Sequence, residues 1–205
     1  MEVPPESLQK DMIKFLNDEE LSDVTFSVGS SLVKANRSLL AARSDHFRAL
    51  FITSGMKESF GDKVVVPDVT EESFRFMLEY IYTDQLPEQC TTWERSIDLL
   101  IIADRFKLTR LRVLCEDSIR RSLNVDNVIS VLITCHKNNV EALKALCLEF
   151  FINNEELLKL KNCSSMETLM HEPALVFQIL AAKPSLQNVS SALNRSMVCY
   201  ALCSH

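Results

Sequence analysis

The stretch "LSDVTFSVGSSLVKANRSLLAARSDHFRALF", residues 21 to 51, changes its hydrophobic period within a short span. In "DVTFSV", Val24, Phe26 and Val28 alternate with polar residues, the period-two pattern of a strand with one face buried. "GSS" supplies a turn, and Leu32 and Val33 begin a second strand, so a β-hairpin is expected. Beyond Asn36 the pattern turns helical through Leu39, Leu40, Ala41 and Ala42 and breaks near Ser44. Ser44 can cap a second short helix that carries Phe47, Leu50 and Phe51.

Upstream, Pro4 and Pro5 can open a helix but not sit inside one. Glu6 to Asn17 then places Leu8, Met12, Phe15 and Leu16 on a single apolar stripe. Downstream, "KVVVP" is a continuous apolar run closed by Pro67, which predicts a third strand buried on both faces. Thr70 is placed to cap a helix whose first turn holds Glu71 and Glu72, where acids suit the helix dipole, and whose core face is Phe74, Met77, Leu78 and Ile81. The expected result is a small three-stranded sheet wrapped by helices.

From Thr92 onward the pattern is wholly helical. Ile97, Leu100, Ile101 and Ala103 share one helix, and Leu108, Leu111, Cys115 and Ile119 the next. Asp126 is the expected cap of a helix carrying Val128, Ile129, Leu132 and Cys135, and Asn138 with Asn139 marks a turn before Leu143, Leu146, Cys147, Phe150 and Phe151. Short turns between helices of this length make antiparallel hairpins. Two more helices are expected around Ser165 to Met170 and Pro173 to Ala182, and a last one through Leu186, Val189, Leu193, Met197 and Tyr200. The fold class is therefore α+β, continued by an all-α helical-hairpin extension.

Composition narrows the function classes. Of 205 residues, 47% are apolar and 24% charged, which suits a compact soluble protein. The net charge is -6, and lysines and arginines are scattered among acids, which disfavours a nucleic-acid partner. No apolar run approaches the roughly 18 residues of a membrane span, and no N-terminal signal is visible. The seven cysteines form no C-x-x-C pair and fall mostly at apolar helical positions, as expected of reduced thiols in the cytoplasm or nucleus. His46, His136, His171 and His205 are dispersed, so neither a metal nor a cofactor is expected. Phosphate-binding glycine loops and nucleophile elbows are absent, and only three glycines occur, which makes catalysis the weakest reading.

Several strings then converge in order: "LSDVTFSV", "LLAARSDHFRALF", "SGMKES", "VPDVTEESFRFMLEYIYTD" and "ADRFKLTRLRVLCEDSI". Together they resemble the BTB (POZ) domain over residues 20 to 122. "LNVDNVISVLITCHKNNVEALKALCLEFF" onward looks like the 3-box and short BACK region of the speckle-type POZ adaptors. The organisation implied is a dimerisation helix over residues 1–19, the BTB/POZ domain over 20–122, a 3-box/BACK-like region over 123–183 and a helical tail over 184–205. Asn36 departs from the family, where histidine is common, so a local hydrogen bond is expected to differ.

The resemblance implies a non-catalytic homodimeric adaptor that brings a protein substrate to cullin-3 within a RING ubiquitin ligase. The family's dimer contacts map here onto Leu8, Met12, Phe15 and Leu39, with Asp23 and Arg37 matching a charged pair near the dimer centre. Its cullin-binding signature, an apolar residue, any residue, then glutamate, maps onto Met56-Lys57-Glu58, with Phe51 and Tyr82 as further candidates for that surface. A flexible thioether fills an irregular apolar pocket, and a neighbouring carboxylate can pair with the helix that provides it.

Blander alternatives stand beside these assignments. Met56 can fold back on the preceding helix with Glu58 a solvated charge, and the first helix can pack only on its own domain. A dimerisation or scaffold module of a transcription regulator that binds no cullin is the competing functional reading. The substrate is unknown, and with no kelch or MATH pattern in sight the chain is expected to be part of a longer protein.

Overall fold

Gly29 opens the turn that the hairpin needs. The computed structural model describes residues 8–53, 63–154 and 168–182. Strand β1 (Val24–Val28) pairs antiparallel with β2 (Ser31–Ala35), and Val28 lies opposite Ser31. Only two residues therefore connect them, and Gly29 adopts φ 57°, a value that costs an L side chain but not glycine. Nothing lies within 4 Å of where a Cβ would stand, so backbone conformation and not space selects glycine here.

The hairpin leads directly into helix. α2 (Arg37–Arg43) ends at Ser44, which caps α3 (Asp45–Arg48) by accepting a bond from the Phe47 N–H at 3.4 Å. The Ser44 hydroxyl also donates to the Phe106 carbonyl at 2.7 Å. The chain then widens into a π-helical turn, Ala49–Thr53. Thr70 caps α4 (Glu71–Thr83) through a 3.2 Å bond from the Ser73 N–H, and Phe74, Met77, Leu78 and Ile81 are all buried as their spacing predicts. Around them Phe26, Phe47, Phe51, Phe74 and Phe106 pack ring to ring, with Phe47 stacked on Phe106 at 4.9 Å and edge-on to Phe26 at 5.7 Å.

One expectation about the sheet fails. β3 (Lys63–Val66) runs parallel to β1 at the sheet edge, in the order β2-β1-β3, and alternates exposed and buried residues. Val64 and Val66 are buried, but Val65 is 71% exposed. Three consecutive valines suggest a doubly covered strand because periodicity cannot separate that case from an edge strand that is apolar on both sides.

The chain divides into two compact units, Met1–Ser122 and Leu123–His205. The first contains α1 (Leu8–Asn17), the sheet, α2 to α4, and a hairpin of α5 (Trp93–Arg105) and α6 (Thr109–Ser122). In the second, α7 (Val128–Lys137) and α8 (Glu141–Asn153) form a hairpin, and α9 (Pro173–Ala182) contacts α8.

Both hairpins turn without glycine. Lys107, at φ 57°, sits where the Leu108 N–H reaches back to the Ala103 carbonyl at 2.8 Å. Asn139, at φ 56°, does the same below a Val140 to Cys135 bond of 2.9 Å. These are Schellman endings in which a lysine and an asparagine hold the left-handed position that glycine usually takes.

Asp126 is not the cap of α7. The helix begins after Asn127, whose Oδ1 accepts from the Asn124 N–H at 2.8 Å, while Asn124 Oδ1 accepts from the N–H groups of Asp126 and Asn127. Two asparagines that bond each other's backbone displace the aspartate from the role its position suggested. The expected helix around Ser165 lies largely outside the described residues, as does the one from Leu186 to Tyr200.

Candidate protein-binding surface

Tyr82 holds together the N-terminal side of the first unit. It lies near the end of α4, 5% exposed, and its ring meets Phe15 of α1 at 5.7 Å. Its hydroxyl donates to Asn36 Oδ1 at 2.7 Å and accepts from the Asn36 N–H at 3.0 Å. Asn36 Nδ2 in turn donates to the Leu21 carbonyl. Burial pushes the Tyr82 phenol up from its ordinary value. Three segments distant in sequence, the approach to β1, the β2–α2 junction and the end of α4, are thus tied at one buried point.

Tyr82, named above as a candidate for the docking surface, lies beneath α1. Its ring is covered by α1 and its hydroxyl is satisfied by Asn36, so in this fold it positions other residues. Helical spacing conceals this, because Tyr82 lies beside the stripe of Phe74, Leu78 and Ile81 and becomes buried only when α1 covers it.

The residues expected at a dimer interface share that side. α1 packs along α4, yet none of its residues is fully buried. Leu8 is 71% exposed, whereas Met12, Phe15 and Leu39 are half-buried. Asp23 and Arg37 do meet. The Asp23 carboxylate accepts the Arg37 N–H at 2.7 Å and so caps α2 from outside the helix, where the Asn36 side chain makes no cap bond. The Arg37 Nε donates to the Asp23 carbonyl at 3.1 Å. Asp23 is exposed and Arg37 half-buried in the single chain, so the pair is a surface cap and not a buried ion pair.

Of the docking candidates, Met56 and Glu58 lie outside the described residues. Phe51, in the π-helical turn, stacks on Phe47 at 5.9 Å and stays half-buried, with the Arg37 guanidinium 5.4 Å above its ring. Arg37 therefore touches both groups of candidate residues. Ile52 and Leu21, which no motif singles out, are 65% and 57% exposed.

Among the described residues, the four cysteines Cys90, Cys115, Cys135 and Cys147 are buried and free. Burial pushes the thiols of Cys90 and Cys115 up, away from the reactive thiolate. No described helix is long and apolar enough to cross a membrane.

A family model described as the BTB/POZ domain matches residues 12–123, more than half of the chain. The chain belongs to the BTB/POZ family. The chain is 34% identical to BTB/POZ and MATH domain-containing protein 3 of Arabidopsis thaliana over 179 residues, 82% of this chain and 44% of that protein. It is 32% identical to TD and POZ domain-containing protein 4 of Mus musculus over 187 residues, 91% of this chain and 50% of that protein. This BTB/POZ chain thus spans about half the length of the curated relatives it matches. The BTB domain of zebrafish PATZ1 covers 59% of the chain at 19% identity, with a TM-score of 0.46.

Proposed function

We propose that this BTB/POZ chain is the self-associating, cullin-3-binding part of a substrate adaptor in a RING ubiquitin ligase, and that it is not itself catalytic. The observation that carries the reading is the position of Met56-Lys57-Glu58, between the π-helical turn that ends at Thr53 and the start of β3 at Lys63. In a BTB/POZ domain, that segment corresponds to the family's cullin-binding signature. Met56 enters an apolar pocket on the partner, Glu58 pairs with the helix that lines it, and Phe51 extends the contact. Tyr82 supports this surface from within.

Self-association uses the outward part of α1. Leu8, exposed, and Met12 and Leu39, half-buried in the single chain, supply the apolar side chains of a surface self-complementary about a two-fold axis. The helical region from residue 123 to about 183 acts as the 3-box and BACK-like extension, followed by the tail over 184–205. The substrate is a protein recognised elsewhere in a longer polypeptide.

Calorimetric titration of the chain with the cullin-3 N-terminal domain tests the reading. Saturable binding that Met56→Asp and Glu58→Lys both weaken, at unchanged thermal stability, supports it. Absence of binding by the wild type leaves the scaffold reading. Sedimentation of the Leu8→Asp/Met12→Asp variant tests self-association separately, with a monomer expected.

A further inference from the structure

We propose that the open edge of β3 takes up an extended acidic and apolar segment of a partner protein as a fourth strand. This surface is independent of the cullin-docking reading.

Among the described residues, the sheet order β2-β1-β3 leaves β3 with a strand on one side only. Alternate residues of such an edge present backbone N–H and C=O groups away from the sheet, ready to pair with another chain. Proteins ordinarily blunt these edges with charge, and Lys63 is such a charge. Val65, at the centre of the same edge, does the opposite, because it offers an exposed β-branched side chain on the outermost described strand.

Strand register arranges the solvent face into two rows. Thr25 lies between Lys34 and Lys63, and Ser27 lies between Leu32 and Val65. Leu32 is 57% exposed, so the second row has an aliphatic residue at each end, about 10 Å apart by strand spacing. The first row carries two cations on a chain of net charge -6. Lys34 pairs with Glu19 at 2.7 Å, whereas Lys63, at the open edge, has no ion-pair partner among the described residues.

Those rows select the occupant. Side chains of an added strand alternate between faces, so two residues of the guest, one apart, face outward beside β3. Charge complementarity places an acid beside Lys63, and the apolar row places an aliphatic residue beside Val65. A second copy of β3 fits less well. It would set Lys63 against Val65 or against another lysine, leaving the cation uncompensated.

Fluorescence anisotropy with the full chain tests this, using a labelled peptide with the core Glu-Thr-Val-Thr-Glu, which presents the pattern in either strand direction. The expected result is saturable binding, with a Lys-Thr-Val-Thr-Lys peptide about tenfold weaker and Val65→Thr reducing affinity about three- to fivefold at an unchanged melting temperature. Lys63→Glu should reverse the preference between the two peptides. Failure of the wild type to bind the acidic peptide overturns the proposal, as does unaltered preference in Lys63→Glu. Concentration-dependent assembly that Val65→Thr abolishes, without peptide binding, also overturns it and assigns the edge to a second copy.

Discussion

Tyr82 and Asn36 bond to each other twice, the phenol donating to the side-chain oxygen at 2.7 Å and accepting from the main-chain N–H at 3.0 Å. Asn36 is itself 5% exposed, so water cannot readily replace either bond. Tyr82→Phe should therefore strand a buried carbonyl-type acceptor and a buried N–H, at a cost of about 1–3 kcal/mol for each group left without a partner. Urea denaturation measures the loss, and a midpoint equal to the wild type would mean that the pair is idle.

Asp23 caps α2 across a gap of fourteen residues in sequence. Asp23→Ala should cost about 1 kcal/mol of stability, while Asp23→Asn, which retains an acceptor, should cost less. If the residue served only a contact between protomers, both substitutions would lower dimer affinity and leave the melting of the monomeric Leu8→Asp/Met12→Asp variant unchanged.

His46 rests edge-on against Phe106 at 5.0 Å. Burial holds its imidazolium form below the ordinary histidine range, and the nearby cations Arg105 and Lys107 push in the same direction. A histidine whose folded value is depressed leaves the native state with fewer bound protons than the unfolded chain at mildly acidic pH. Its contribution is complete above the unfolded value of about 6.5 and declines as the pH falls from there toward the folded value. His46→Gln should flatten the fall in stability between neutral and mildly acidic pH, read from urea midpoints of the two proteins.

Neighbouring residues should separate core from surface. Phe47→Ala removes a fully buried ring that meets Phe26 and Phe106, and should cost about 3–5 kcal/mol. Phe51→Ala removes a half-buried ring and should cost clearly less, its larger effect appearing in partner binding.

β3 provides the same contrast within one strand. Val64→Thr buries a hydroxyl and should cost about 1–3 kcal/mol, whereas Val65→Thr should be nearly neutral. Equal costs in thermal denaturation would restore the doubly covered strand that the valine run suggested.

Much of the fold was legible because its signals are local. A two-residue turn containing glycine, a serine and a threonine ahead of apolar stripes, and asparagines at a helix break each act within a few residues of themselves. The candidate site was less legible. Met56 and Glu58 are recognisable only by family resemblance, and the position of Tyr82 depends on a helix more than sixty residues upstream.

By itself the sequence determined the hairpin, the helix starts at Ser44 and Thr70 and the core face of α4, because short-range periodicity and capping carry them, and its ordered strings carried the BTB/POZ resemblance. Only the tertiary structure decided that Val65 faces outward, that Asp23 caps α2 and that Tyr82 is buried against α1. These outcomes depend on which distant segment covers a residue or competes for its hydrogen bonds, and spacing along one element carries no record of that.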